Sequence, residues 1–252
     1  MTYTIMSLNC LTEHLYSYGN MHFQKRETAL KGLISQEKPD LIAAQEVSKT
    51  IQNSSAFSSY KMVGKQRGSL VANEYVPIFF LKERFHLLNN KTIWLSPTPT
   101  KENSKFLFSM YPRIVTIAKL EDKIDKHIFY FCSIHLDHLF PFVRKQQIEI
   151  LLQQLLPLST HYPLLCAGDF NANRKEESIQ LISKHYQDAV EDSLGSTLLG
   201  KIGSKRYQNY PIDHIFYTSH FQLLDTKKID TPFEGIYPSD HYPLLAKVNL
   251  IL

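Results

Sequence analysis

The stretch Leu164-Leu165-Cys166-Ala167-Gly168-Asp169-Phe170-Asn171-Ala172 decides how this chain is read. Residues 164–167 form a short apolar run of the kind that is buried on both faces of a sheet. The chain then turns polar at Gly168-Asp169, with Asn171 two residues on. Alone, Asp169 or Asn171 is a turn or helix-cap residue. The same arrangement recurs, however. Asn9 ends an apolar strand over residues 3–8. Gln45-Glu46 ends one over 41–44, and His135 ends one over 128–134. Asp213 opens a strand over 212–217, and Ser239-Asp240-His241 immediately precedes one over 242–250. Polar residues at the ends of separate strands gather at a sheet rim, where a rigid frame fixes the side chains that project from it.

Between these strands lie helical patterns. Residues 24–36 put Leu30, Leu33 and Ile34 on one face, and Pro39-Asp40 stops the helix. Residues 141–156 begin with Pro141 and space Ile148, Leu151, Leu152 and Leu155 along one face. A shorter helix is expected over 176–184, and further strands over 76–81 and 114–120. Helices interleave with strands, but hairpin-like strand neighbours also occur, so the expectation is a mixed α/β domain over 1–252 and not a pure βαβ array. There is no repeat and no linker. Residues 96–111 and 193–209 are polar, lysine-bearing and rich in turn residues, which makes them candidate loops over a site.

The 252 residues are 43% hydrophobic and 21% charged, the proportions of an ordinary globular protein, and 14 Tyr with 15 Phe favour strands over a helical bundle. A net charge of +4 permits anionic substrates without demanding nucleic acid. The basic residues fall in small groups, among them Lys25, Arg26, Lys65, Arg67, Lys201, Lys205 and Arg206, and are expected to form a solvated face. Cys10, Cys132 and Cys166 form no CxxC pair and sit in apolar surroundings, as buried free thiols of a reducing compartment do. No signal-peptide pattern opens the sequence, and no run approaches the ~18 apolar residues of a membrane span. A cytoplasmic enzyme is the expectation; the oligomeric state is left open.

The rim residues share a chemistry. A phosphate ester is already anionic, so a nucleophile must approach negative charge, and a hard dication lowers that cost. Magnesium prefers oxygen ligands. Glu46 is the natural carboxylate, and Asn9 can add an amide oxygen. No Cys/His cluster has zinc spacing, and both HExxH and GxxxxGK[ST] are missing. Water must be activated near neutral pH, which suits a histidine oriented by a carboxylate.

Taken together, LNC with Asn9, QEV with Glu46, SIHLDH with His135, AGDFNA with Asp169 and Asn171, IDHIF with Asp213, and SDHYPL with Asp240 and His241 resemble the endonuclease/exonuclease/phosphatase superfamily. That superfamily includes deoxyribonuclease I. The resemblance covers essentially the whole chain. Ile93-Trp94-Leu95-Ser96, Tyr111-Pro112-Arg113 and His135-Leu136-Asp137-His138 look like a poorly characterised bacterial branch, although Leu107-Phe108-Ser109 stands where that branch usually has a Trp-Asp pair.

The resemblance implies a four-layer α/β sandwich: two packed, mostly antiparallel sheets with helices outside. It also implies roles. Glu46 and Asn9 hold magnesium, with manganese able to substitute, and Asp240 lies close to the metal. Asp169 positions or activates water. Asn171 and His135 donate to phosphoryl oxygens. His241 is the general base, oriented by Asp213, and Glu74 occupies the place of a glutamate that supports the first histidine. Arg113 is a phosphate contact or a structural ion pair. The function expected is metal-dependent hydrolysis of a phosphate ester, small molecule or nucleic acid. The alternatives are a magnesium-dependent endo- or exonuclease on DNA or RNA, and a catalytically silent scaffold. The inositol-phosphatase signature WxGDxNxR is absent, since Leu165-Cys166-Ala167 precedes Gly168-Asp169.

Overall fold

Two crossovers set the architecture. β1 (Thr2–Asn9) leads through α1 (Phe23–Glu37) to the parallel β2 (Leu41–Gln45), which the one-turn α2 (Lys49–Gln52) follows. β7 (Ile128–His135) leads through α3 (Pro141–Ser159) to the parallel β8 (Leu164–Asp169). Parallel neighbours need such a connection, because a tight turn cannot return the chain to the starting end of the sheet. The structure is a computed structural model that describes residues 1–13, 19–68, 73–199 and 209–251.

Each parallel pair lies inside a six-stranded sheet that is otherwise antiparallel. The first sheet has the order β11 (Phe221–Lys228), β12 (Leu244–Leu250), β1, β2, β4 (Ile78–Leu81), β3 (Tyr60–Val63). The second has the order β5 (Phe85–Trp94), β6 (Ile114–Asp122), β7, β8, β10 (Asp213–Tyr217), β9 (Gln187–Asp188). The inner faces meet in one apolar layer, with Tyr3, Ile5, Leu41 and Phe80 from the first sheet against Phe129, Phe131, Leu165 and Ile215 from the second. The outer face of the first sheet, through Met6, Leu8, Ile42 and Phe79, packs against Leu30, Leu33 and Ile34 of α1. The outer face of the second packs Cys132, Ile134 and Cys166 against Ile148, Leu151 and Leu155 of α3 and Ile179 and Ile182 of α4 (Glu177–Ile182). The result is the four-layer α/β sandwich, helix–sheet–sheet–helix.

Most boundaries lie within a residue or two of the sequence reading, and the exceptions have local causes. α3 continues past Pro157 to Ser159: a proline so near the end forfeits a single helical hydrogen bond. β4 starts at Ile78 and not at 76, because Pro77 has no N–H to give a ladder and offers its carbonyl to Ala44 N. Four strands have no counterpart in the sequence reading: β3, β5, β9 and β11. They are the four sheet edges. The three cysteines are buried and free. Among the described residues, no helix is long and apolar enough to cross a membrane.

Candidate active site

The two-residue period of a strand builds the site. Along β1, Tyr3 and Ile5 enter the inter-sheet layer, and the same alternation carries Ser7 and then Asn9 to that side. On β7 the series is Phe129, Phe131, Ser133, His135; on β8 it is Leu165, Ala167, Asp169. β10, running the other way, gives Tyr217, Ile215, Asp213. Register then aligns them, with His135 beside Asp169 and Asp169 beside Asp213. Asn9 pairs with Gln45 in the facing sheet. The apolar layer therefore ends at one rim in a buried polar belt, where Ser133 Oγ donates to Ala44 O at 3.1 Å, and beyond it opens a cavity of about 300 Å³.

Glu46, Glu74, Arg113, His135, Asp169, Asn171, Asp240 and His241 line this cavity, together with Arg67, Tyr111 and His138. Asn9 and Asp213 stand directly behind them. Asp213 Oδ2 is 2.9 Å from His241 Nδ1, and His241 Nε2 points at Asp169 Oδ2, 3.9 Å away. Burial alone would push the His241 imidazolium toward losing its proton, but Asp213, Asp169 and Asp240 hold its pKa well above the usual value. Burial and the neighbouring Asp213 charge push Asp169 up to about 7. His135 Nε2 lies 3.5 Å from the same Asp169 oxygen. Its pKa is driven far down by burial and then by Arg113 and Arg67, so His135 is neutral at pH 7.

Around Asn9 the carboxylates are held by weak, long contacts. Its amide nitrogen donates to Glu46 Oε1 at 3.2 Å and Asp169 Oδ2 at 3.1 Å, and Thr12 N donates to Glu46 Oε2 at 3.3 Å. Burial, with the Glu46 charge, raises Asp240 as well. Glu46, Asp169 and Asp240 thus face one cavity, the two aspartates held above the normal range, and their oxygens are of the kind a hard dication prefers. Asp169, Asp213 and His241 bring ligand atoms within 4.8 Å of one another, with Asp213 hydrogen-bonded to Nδ1 of His241.

Backbone geometry is particular here. Glu46 (φ 55°) and Asn171 (φ 50°) both adopt left-handed conformations. Gly168, at φ 155°, lies so near β7 that a Cβ would overlap the Ile134 carbonyl oxygen. Arg26, fully buried, gathers the loop after β1 and the segment before β12. Its guanidinium donates to the carbonyls of Met21, Cys10, Leu11 and Pro238 at 2.6–2.9 Å, next to Ser239-Asp240-His241.

The sequence model of the Endonuclease/Exonuclease/phosphatase family matches residues 6–241. The chain belongs to that family. Solved structures with this fold include a family member from Bacteroides vulgatus, with a TM-score of 0.88 and 22% identity over 99% of both chains. A mannosyl-6-phosphatase of Bacteroides thetaiotaomicron gives 0.80 and 23%, over 99% of this chain and 100% of its own. The human nocturnin catalytic domain with bound sulfate gives 0.78 and 22%, over 99% and 94%. Identities this low speak for the fold alone. No curated protein matches the sequence.

Several residues of this family member sit otherwise than their sequence context implies. Asn9 presents its NH₂ group to the carboxylates, and its oxygen accepts the Leu11 N–H at 3.0 Å. In this conformation it clamps two carboxylates; the opposite amide orientation, with the oxygen toward Glu46, is the one a metal ligand takes. Glu74 is ion-paired to Arg67 at 2.5 Å and lines the cavity with His135, whose Nδ1 has no hydrogen-bond partner among the described residues. Arg26 and Arg67, expected on a solvated face, are buried, and Arg67 lines the cavity. Among the described residues Arg113 has no ion-pair partner, and its side chain hydrogen-bonds to His138 Nδ1 at 2.9 Å. Asp137 caps the turn into α3 through Leu139 N and Phe140 N, and Arg144 holds Glu176 and Asp137 O, so neither lines the cavity. In the loop over 96–111, Phe108 packs outward against Phe140 and Phe142, and Tyr111 is the aromatic ring inside the cavity. The basic loop over 201–206 lies outside the described residues.

Proposed function

We propose that the protein is a metal-dependent hydrolase of phosphate esters. The observation that supports this best is the line Asp213–His241–Asp169, with 2.9 Å and 3.9 Å between its members, opening into a cavity that Glu46 and Asp240 share. Glu46, Asp169 and Asp240 would hold a divalent cation, and their oxygen chemistry favours magnesium, with manganese as a substitute. Bound there, the cation would offset the charge of the phosphoryl oxygens and of the carboxylates that hold His241 protonated.

The residues divide the remaining work. His241 Nε2 and Asp169 Oδ2, 3.9 Å apart, can both reach one water placed beside them; with the neighbouring carboxylates offset by a cation, Nε2 would stand deprotonated and take that water's proton as Asp169 orients it. Asp213, on Nδ1, fixes the tautomer and stabilises the imidazolium that forms. His135, held neutral, and Asn171 each carry a donor N–H for the non-bridging phosphoryl oxygens as negative charge builds there.

The test is a panel of phosphomonoesters, small phosphodiesters, RNA and DNA, assayed with magnesium or manganese. Hydrolysis of at least one class is expected, abolished by chelator and restored by added metal. Full activity in excess chelator would sink the reading.

A further inference from the structure

The wall of the cavity away from His241 holds charged groups that the hydrolytic steps do not use. Across the second sheet, β6, β7, β8 and β10 bring Arg113, His135, Asp169 and Asp213 to the rim in that order. With strands ~4.8 Å apart, Arg113 stands about 10 Å from Asp169, on the side opposite Asp213. The first sheet runs the same way: His241 before β12, Asn9 on β1, Glu46 after β2, and Glu74-Tyr75 before β4. Arg67 joins this far end, because its N–H donates to Glu74 O at 2.8 Å and its neighbour Gln66 bridges Tyr75. The trough therefore has an acidic end and a basic end.

The basic end is built but incomplete. Arg113 is 3% exposed and Arg67 4%. His138 Nδ1 takes Arg113 Nη2, and Tyr111 supports the group, with the Arg67 guanidinium 4.9 Å from its ring centre and the His138 ring stacked at 6.3 Å. Yet Nε and Nη1 of Arg113, and Nε and Nη1 of Arg67, are buried with no hydrogen-bond partner among the described residues. Burial and the Arg67 charge push the Arg113 guanidinium down to about 10; Glu74 pairs with Arg67 through Nη2, whereas Arg113 has no ion-pair partner among the described residues. A buried donor left unpaired costs about 1–3 kcal/mol, so a fold retains four of them where a ligand completes them.

We infer that Arg67, Arg113 and His138 form a subsite for a terminal phosphate that the substrate carries in addition to the ester being hydrolysed. A terminal phosphate brings three strong acceptor oxygens for the four open guanidinium nitrogens, and negative charge for Arg113, which lacks the carboxylate that Glu74 gives Arg67; a carboxylate brings only two oxygens. This rests on the hydrolase reading for the ester half of the substrate, but the subsite can be tested without turnover.

Inorganic phosphate titrated calorimetrically into the chelator-treated protein is the first measurement. Wild type binds it, and Arg113→Met weakens binding ~10–100-fold, the worth of one lost charged hydrogen-bonding group. In phosphate-free buffer Arg113→Met melts at or above the wild-type temperature, because it removes a buried cation with no counter-ion. Arg113→Lys, which keeps the charge, retains intermediate affinity. If Arg113→Met melts lower and binds phosphate like wild type, Arg113 is structural and the inference is overturned. The second measurement compares alkanediol phosphate esters that differ only in a second, terminal phosphate. Wild type prefers the doubly phosphorylated member in kcat/KM, and Arg113→Met abolishes that preference. Hydrolysis with equal kcat/KM for both members overturns the subsite and leaves the hydrolase reading standing. Phosphate binding that Arg113→Met weakens, with no ester hydrolysed, does the reverse.

Discussion

At the scale of single residues, the site is a set of opposed pKa values. His135 and His241 stand at opposite sides of the same Asp169 oxygen, and burial favours the neutral form of both; Arg113 and Arg67 add to this at His135, whereas Asp213 and its neighbouring aspartates outweigh it at His241. Removing the His241 imidazole should cut turnover ~10²–10⁴-fold, the span of general-base loss, with the fold intact. Asp213→Asn should also lower turnover, since Nδ1 loses the acceptor that orients the ring. Wild-type rates in both variants, from steady-state kinetics, would mean that another group takes the proton. Asp169 makes a prediction about stability. Its pKa rises from 3.8 unfolded to about 7 folded, so between those values the folded state binds more protons. Its contribution is fully present below about pH 4 and is lost as pH rises through about 7. His135 has the opposite sign, so the difference between variants isolates the effect. In chelator, Asp169→Asn should melt progressively higher relative to wild type from pH 5 to pH 8. A constant difference across that range would contradict the shift.

At the scale of elements, function and pairing geometry meet at Gly168. β7 and β8 are parallel neighbours whose register sets His135 beside Asp169, and Gly168 lies one residue before that pair. A side chain there would strike the Ile134 backbone carbonyl, which cannot swing aside as a side chain does. Gly168→Ala should therefore cost more than the ~1–3 kcal/mol of ordinary overpacking, measured by urea unfolding. A variant of near wild-type stability would show that the two strands can part without loss. The elements also divide by legibility. The central strands read clearly because both faces are buried: Leu41–Gln45 is buried at every position. β5 crosses Asn89, Asn90 and Lys91 at exposed positions and is held there by its backbone ladder to β6. β11 is similar, alternating exposed Gln222, Leu224 and Asp225 beside β12. Edge strands take their conformation from a neighbour distant in sequence, so no local pattern announces them.

At the scale of the whole molecule, the sandwich decides what can reach the site. Two sheet rims and the loops above them enclose about 300 Å³, the low end of the range for small-molecule sites. The arginines nearest the chemistry are unsuited to tracking a duplex: Arg67 and Arg113 lie inside the cavity, and Arg144 holds Glu176. Duplex DNA binding draws on many exposed phosphate contacts and falls steeply with salt. The protein should prefer a small phosphate ester or a short single-stranded end, and should bind duplex DNA weakly at physiological salt. A salt titration of duplex binding decides this. Tight binding with a steep salt slope and efficient nicking would move the protein to the nuclease side of its family.

What the sequence alone determined is which residues reach the rim. Strand alternation is local, so a chain that reads Phe129, Phe131, Ser133, His135 carries its histidine to the face of its phenylalanines whatever packs around it. The charge state and partner of each such residue were decided only by the tertiary structure. Arg26 and Arg67 look in sequence like any surface cation, and Asn9 like any amide ligand. Burial, mutual distance and the direction of an amide depend on segments far apart in the chain. Pro238 lies 212 residues from Arg26, and Asp169 lies 160 from Asn9. Those segments meet only when the two sheets close on each other, and the meeting gathers scattered polar residues into one cavity, with aspartates around His241 at one end and Arg67 and Arg113 at the other.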